Sequence, residues 1–473
     1  MKKTTYCYAV LTASAALALG SAFTAFAAEW KEIDGSWVYV ENNGNYATDT
    51  WKEDNGVNYY LGSNGFMVTD TLLNLNENFY YVRSNGAMLT NSWRQIQNPE
   101  WQGDDLVDEA SWYYFGANGR AFTSKEGKAE IYNIGDKKYV FDQYGRMVTG
   151  WISETGERVE EDNWQEGIYY ADEEGDGDIV VNAWVYATVT DDDNEDDSNP
   201  TYHFYFNSNG KKAISTDKTL GDHKYLFDER GVAVSGWHQD SDGDWKFYGG
   251  GEDCYLHTGW FQAVPHEQMN SGANADGTSY YYYAGSNGKI TESQFKTIDG
   301  KTYAFNSNGE MITGLKVFTF SEENSKEIAG YTSVDYLDNL PSGPSDTREV
   351  YYLTSDSGVK TGTQSIGIDG TTYTFSFKSN GAPKGAGITG IDGGYIYDHG
   401  RRLTAEEGTK YQPVSWYQNV NGNEVSAEYL LAENGAIQKN KKNIKDQDGY
   451  YHCTDKNGIL LHDALGDKCT EKH

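Results

Sequence analysis

The stretch Ile298 to Gly314, IDGKTYAFNSNGEMITG, decides the fold class. An apolar residue and Asp-Gly lead into the alternating run Thr302 to Asn306, and Asn308-Gly309 then reverses the chain into Glu310 to Thr313. Asn-Gly tolerates the positive φ angles of a type I′ turn, whose twist suits two antiparallel strands, so the stretch predicts a β-hairpin turning at that pair. Tyr303, Phe305 and Met311 then project from one face, which a lone hairpin cannot bury.

An aromatic residue six positions ahead of a glycine recurs at Tyr59/Gly65, Tyr80/Gly86, Tyr113/Gly119, Tyr139/Gly145, Tyr169/Gly175, Phe204/Gly210, Tyr225/Gly231, Tyr282/Gly288, Tyr352/Gly358, Phe375/Gly381 and Tyr429/Gly435; with Tyr303/Gly309 that makes twelve copies. Such a register marks an array in which each unit packs on its neighbours, so the 473 residues need not divide into ordinary globular domains. Aliphatic residues are few while Tyr (38), Trp (13) and Gly (53) abound, which leaves stacked aromatic rungs to supply the buried area. Strand signals repeat without a long helical pattern. The predicted fold is all-β, a solenoid of stacked hairpins, with surface loops at Asp191 to Pro200, Val264 to Thr278 and Phe318 to Arg348.

Residues 1–27 read as a secretory signal peptide: Lys2-Lys3, an apolar run from Ala9 to Phe23, then Ala25-Phe26-Ala27 as a cleavage site. Residues 28–405 form the predicted repeat array, and 406–473 degenerate or capping repeats, since Tyr429/Gly435 keeps the spacing and Tyr451/Gly458 stretches it by one. No later apolar stretch is long enough to span a membrane. Cleavage removes two lysines and takes the formal charge from −33 to about −35, which disfavours a nucleic-acid partner and favours a cationic or neutral ligand. Of the three remaining cysteines, Cys453 and Cys469 can pair and Cys254 is odd.

Units such as WVYVENNG (Trp37 to Gly44), WYYFGANG (Trp112 to Gly119) and TGW (Thr149 to Trp151) resemble the cell-wall-binding repeat of Gram-positive choline-binding proteins. The short units, IDGKTYAFNSNGEMITG above all, look equally like repeats of clostridial toxin receptor-binding and streptococcal glucan-binding regions. The choline-binding resemblance implies a ligand between successive hairpins, caged by an opening Trp, the first aromatic of WYY and a Tyr of the next hairpin. A trimethylammonium has no N–H to donate, and aromatic faces are its best partners. Carried over, the pattern gives three cages: Trp30 with Trp37 and Tyr59, Trp93 with Trp112 and Tyr139, and Trp237 with Trp245 and Tyr255. Elsewhere Asn58, Lys138, Ile168, His203, Lys224, Thr302 and Glu428 stand where an aromatic is expected; a saccharide stacked on Trp or Tyr suits this mixed pattern as well as choline does.

No stretch outside the hairpins is long enough for a hydrolase domain. His452, Cys453, His462, Cys469 and His473 match no zinc spacing, and Asp172 to Asp178 lacks the closing Glu of a calcium loop, its twelfth position being Ala183. No metal and no cofactor is implied. The expected function is a secreted, non-catalytic surface protein that attaches non-covalently, through many weak grooves, to choline-bearing teichoic acid or saccharide polymers of the cell wall. A wall hydrolase with an unrecognised site and a glycan-binding adhesin are the alternatives.

Overall fold

In the computed structural model, which describes residues 27–98, 109–173, 175–191, 199–251, 253–420 and 423–470, the tight turn of the founding stretch is Asp299-Gly300, not Asn308-Gly309. Gln294–Ile298 pairs antiparallel with Lys301–Phe305, and the two residues between them have φ of 49° and 78°. Positive φ at both positions is what a type I′ turn demands. At Asn308-Gly309 only the glycine is left-handed, at 77°. Asn306 accepts the Gly309 N–H at 3.0 Å and donates its own to Glu310 at 3.0 Å, closing a three-residue loop that carries the glycine as a bulge. The strand that follows, Met311–Ile312, is two residues long. The predicted shared face survives the shift: Tyr303 and Phe305 pack in one cluster with Ile298, and Met311 lies against it.

The same plan repeats in the first of two compact units, which ends at Val234. Glu29–Ile33 pairs with Ser36–Val40, Thr50–Asp54 with Val57–Leu61, Thr71–Leu75 with Asn78–Val82, Ser92–Gln97 with Ala110–Phe115, and Ala183–Thr188 with Thr201–Phe206. Eleven of the twelve glycines found by spacing have positive φ; the exception is Gly175, where a longer loop gives that conformation to Gly177. Past Gly65, Gly86, Gly145 and Gly210 a backbone N–H reaches the preceding hairpin: Met67 to Trp37 (2.7 Å), Met88 to Asn58 (2.9 Å), Met147 to Trp112 (2.7 Å) and Lys212 to Ile168 (2.7 Å). The side chain at that position then lies over the next hairpin's glycine, as Met67 does over Gly86 and Met88 over Gly119. Residues 1–26 of the expected signal peptide 1–27, and the acidic run 192–198, fall outside the described residues.

The second unit, from Ser235, begins the same way with Trp237–Gln239 against Trp245–Phe247 and Gly259–Ala263 against Tyr280–Ala284. It then widens. Gly314–Phe320 lies between Ile328–Ser333 and Glu349–Thr354 in a four-stranded sheet, and Gly362–Ile368 opens a five-stranded one. The segment Phe318 to Arg348, expected as a surface loop, therefore contributes a strand and buried Phe318, Ile328 and Val334. Val264 to Thr278 holds the short helix Ser271–Ala275. Cys453 and Cys469 form a disulfide, and Cys254 is buried, its thiol directed at the Gly251 carbonyl. No helix among the described residues is long and apolar enough to cross a membrane, which says nothing of a β-barrel.

Two consequences are measurable in the second unit. At Gly358 (φ 64°) a Cβ would press into the Thr302 carbonyl, a backbone group unable to yield, whereas at Gly370 (φ 78°) it would meet open space. Gly370→Ala should cost about 1 kcal/mol through backbone strain alone, and Gly358→Ala about 1–3 kcal/mol more, read from urea midpoints. Equal midpoints would refute the close approach. Buried His399 faces acceptors through both ring nitrogens, Asp398 Oδ1 at 2.9 Å and the Asp346 carbonyl at 3.1 Å, an arrangement only the doubly protonated ring satisfies. Burial pulls its pKa down, but the bonds and charges of Asp398 and Asp346 outweigh burial and leave it raised. The resulting stability is full below the unfolded value of about 6.5 and is lost as pH climbs through the folded value. Urea midpoints should fall between pH 6 and pH 8.5 in the wild type, and fall less in His399→Gln.

Candidate functional site

The strand register fixes how three rings meet at a junction. In each Trp-led hairpin the Trp faces an aromatic across the strand pair: Trp30 opposite Tyr39, Trp51 opposite Tyr60, Trp93 opposite Tyr114, Trp237 opposite Phe247, Trp260 opposite Tyr283. The residue two positions before that partner shares the face, because side chains alternate along a strand. It is Trp37, Asn58, Trp112, Trp245 and Tyr281 in the same order. The Trp also meets a ring on the second strand of the next hairpin, at 5.5 Å for Trp30 and Tyr59, 5.3 Å for Trp51 and Tyr80, 4.9 Å for Trp93 and Tyr139, 4.8 Å for Trp237 and Tyr282, and 4.8 Å for Trp260 and Tyr303.

Trp93, Trp112 and Tyr139 are brought together as the sequence pattern expected. Trp112 stands 6.5 Å from Trp93 at 85°, and Tyr139 stands at 68° to the same indole, so the three faces are steeply inclined to one another. Trp112 is 43% exposed while Tyr139 is buried, which leaves the group open on one side. The Met147 N–H bond to the Trp112 carbonyl holds the outer wall in place. Burial, aided by nearby Asp178, raises the Tyr139 pKa and keeps the phenol neutral.

Trp30 and Tyr59 also meet, with Trp37 exposed on their face. Around Trp237 the outcome differs. Trp245 stands 6.4 Å away at 88°, but the inner ring is Tyr282, whereas Tyr255 stacks on His257 at 4.9 Å. Tyr255 is the nearer tyrosine in sequence, yet it lies in the irregular segment ahead of Gly259–Ala263, and Tyr282 sits on that strand's partner. Trp260 and Tyr303 meet as well, with Tyr281 on the same strand face, at a junction outside the three cages of the sequence pattern. Its signal was present, since Tyr281 and Tyr303 stand seven and six positions before Gly288 and Gly309, the same offsets as Trp112 and Tyr139 from Gly119 and Gly145.

Junctions differ in what lies opposite the inner ring. Lys52 pairs with Tyr59 and its ammonium sits 4.7 Å from Tyr39; Lys296 pairs with Tyr303 and sits 5.4 Å from Tyr283. At the other two groups the opposite residues are Tyr132 and Phe261, which carry no charge. The acidic loops are engaged by lysines: Lys137 lies 2.6 Å from Asp176 and 2.9 Å from Asp178, and Lys246 lies 2.9 Å from Asp240. No group of three or more His, Cys, Asp or Glu residues is placed to hold a metal among the described residues, and the disulfide takes Cys453 and Cys469 out of any such set.

Residues 47–93 match the family model of the choline-binding repeat. Glucosyltransferase-I of Streptococcus downei is 24% identical over 378 residues, 74% of this chain and 20% of that protein, so the chain spans about a fifth of its curated relative. CbpJ of Streptococcus pneumoniae TIGR4 is 18% identical over 72% of this chain and 99% of its own, with a TM-score of 0.40. The modular autolysin LytC of Streptococcus pneumoniae is 21% identical over 63% of this chain and 56% of its own, with a TM-score of 0.34. The glycine-closed hairpin and its Trp-led face both occur inside the matched segment: residues 47–93 carry the choline-binding repeat.

Proposed function

We propose that this is a secreted, non-catalytic protein that holds to cell-wall polymers through the aromatic junctions of its hairpins, stacked as a solenoid within each unit. The observation that carries this reading is the group of Trp93, Trp112 and Tyr139, three neutral rings set at steep angles with one side open. A quaternary ammonium fits such a group because it needs π faces and no hydrogen-bond acceptor. Trp237, Trp245 and Tyr282 repeat the ring angles with no lysine opposite the inner ring, and His266 lies 5.0 Å from the half-buried Trp245. These two junctions are the choline sites of the proposal. Weak sites acting together supply avidity.

A second reading applies to the junctions at Trp30 and Trp260. Lys296, and Lys52 while paired with Glu41, already place an ammonium on a ring face there and can donate to sugar hydroxyls, while exposed Trp37 and Tyr281 offer flat faces. Saccharide binding at these two junctions is the reading they favour, in line with the glucosyltransferase relative.

Retention on choline-bearing resin or purified cell walls tests the first reading. Wild-type protein should be held and released by free choline; protein that washes through, or that stays bound in excess choline, refutes it. Trp112→Ala and Trp245→Ala should each weaken retention about tenfold or more, and Trp260→Ala should leave it unchanged. Trp112→Ala removes an exposed wall and should change stability by no more than about 0.5 kcal/mol, whereas Trp93→Ala, which strips contacts from four rings, should cost about 3–5 kcal/mol. A cleared band on a peptidoglycan zymogram would contradict the non-catalytic part.

A further inference from the structure

The junction led by Trp151 is built differently. Ile168 occupies its outer-wall position, but the 3-10 turn Glu161–Glu166 brings in Trp164, 6.2 Å from Trp151 and 5.4 Å from Phe204, and Phe204 stands 4.9 Å from Trp151. Trp164 is fully buried and its indole N–H donates to the Thr190 carbonyl at 2.8 Å. Among these three rings lies the ammonium of Lys212, at 5.1, 5.6 and 5.7 Å from Trp151, Trp164 and Phe204. The residue is 4% exposed, and its Nζ donates to the Gln165 carbonyl at 3.3 Å.

Stacking alone does not ask for a lysine here. Lys212 stands two residues after its turn glycine, where other hairpins have Met67, Met88 and Met147. Its N–H bonds to the preceding hairpin as theirs do, and its stem covers Gly231 as Met67 covers Gly86 and Met147 covers Gly177. Methylenes suffice for that contact. The charged end is the surplus, and a lysine buried without a carboxylate bonded to it is costly unless another group stabilises the cation. Burial does pull its pKa down to about 8, with Asp228 opposing. The three π faces are the stabilising group.

We propose that Lys212 is the resident ligand of the cage formed by Trp151, Trp164 and Phe204: the chain itself supplies an alkylammonium ion there, and the junction is closed to external cations while Lys212 is in place. The second half of this statement rests on the reading of the open junctions given above; the first half does not. The guanidinium of Arg230, 5.7 Å from Trp164 and bonded to Asp191 at 2.7 Å, adds a second positive charge beside the same indole.

Lys212→Ala removes a propylammonium from the cage and leaves the rings. Thermal unfolding of the full chain is followed for wild type, Lys212→Ala and Lys212→Met, each with n-propylammonium chloride, with n-propanol and with sodium chloride. Propylammonium should raise the Tm of Lys212→Ala by about 2–4 °C more than that of the other two proteins, and propanol should not. Equal shifts in all three, or a rise matched by propanol, would overturn the proposal. Because the readout is a difference from wild type, it does not depend on choline binding at Trp93. Should Lys212→Ala fail to fold, wild-type protein labelled with [ε-13C]lysine gives the answer: ε-methylene protons shifted upfield by ring currents, and missing in Lys212→Met, support the cage, and their absence in wild type refutes it.

Discussion

One backbone hydrogen bond recurs at the junctions and the rest of the architecture depends on it. The N–H two residues past a turn glycine donates to a carbonyl on the second strand of the preceding hairpin, as Met67 does to Trp37, Met147 to Trp112 and Ile290 to Trp245. A two-stranded ribbon cannot bury its aromatic face alone, and this bond fixes how the next ribbon covers it. The glycine must be left-handed to aim the chain at that carbonyl, and it must lack a Cβ because the preceding side chain lies on top of it. Stability then accrues junction by junction, without one large core.

Because the bond uses main-chain atoms, it tolerates any side chain at the carbonyl-bearing position. That position is Trp in three hairpins, Asn58 in another, Ile168 in another and His203 in another, all with the bond intact. Fold and ligand chemistry are thereby uncoupled. The repeat can persist while its grooves gain or lose an outer wall, which is why a match over residues 47–93 identifies the repeat and leaves ligand identity to each junction.

The repeat was legible because glycines forced into positive φ recur at a fixed distance from buried rings. Where reading failed, the cause was local. Asn308-Gly309 is the stronger I′ signal in the abstract, but the Asn306 side chain accepts the N–H groups of Asn308 and Glu310, both at 2.9 Å, and stabilises a wider loop. Gly175 and Gly381 satisfy the spacing, yet in those longer loops Gly177 and Gly385 are the glycines pressed against Met147 and Val359. Spacing cannot see an inserted residue. The broad sheets of the second unit were hidden because Phe318 and Ile328 sit in a segment whose polar remainder reads as loop. Of the three expected aromatic groups, Trp93, Trp112 and Tyr139 stand together, Trp30 meets Tyr59 with Trp37 on the same strand face, and Trp237 meets Tyr282 in place of Tyr255.

Cation chemistry at a junction reduces to two choices: which residue stands at the outer wall, and whether a lysine reaches the rings from a neighbouring strand or turn. An aromatic wall with no lysine opposite gives the groups at Trp93, open at Trp112, and at Trp237, where His266 lies 5.0 Å from Trp245. An aromatic wall with a lysine opposite gives the groups at Trp30 and Trp260, where the ammonium lies 4.7 or 5.4 Å from a ring centre. An aliphatic wall, with Trp164 inserted and Lys212 arriving from the turn, gives a sealed group. In a chain whose formal charge is −33, lysines have carboxylates to pair with throughout, so three ammonium groups placed on aromatic faces are not there for lack of partners. Lys52 bonds Glu41 at 2.6 Å and still covers Tyr39, whereas Lys212 accepts burial and relies on its rings. The same affinity of π faces for positive charge therefore acts first on the chain's own lysines, and the position of those lysines decides which ring faces they cover.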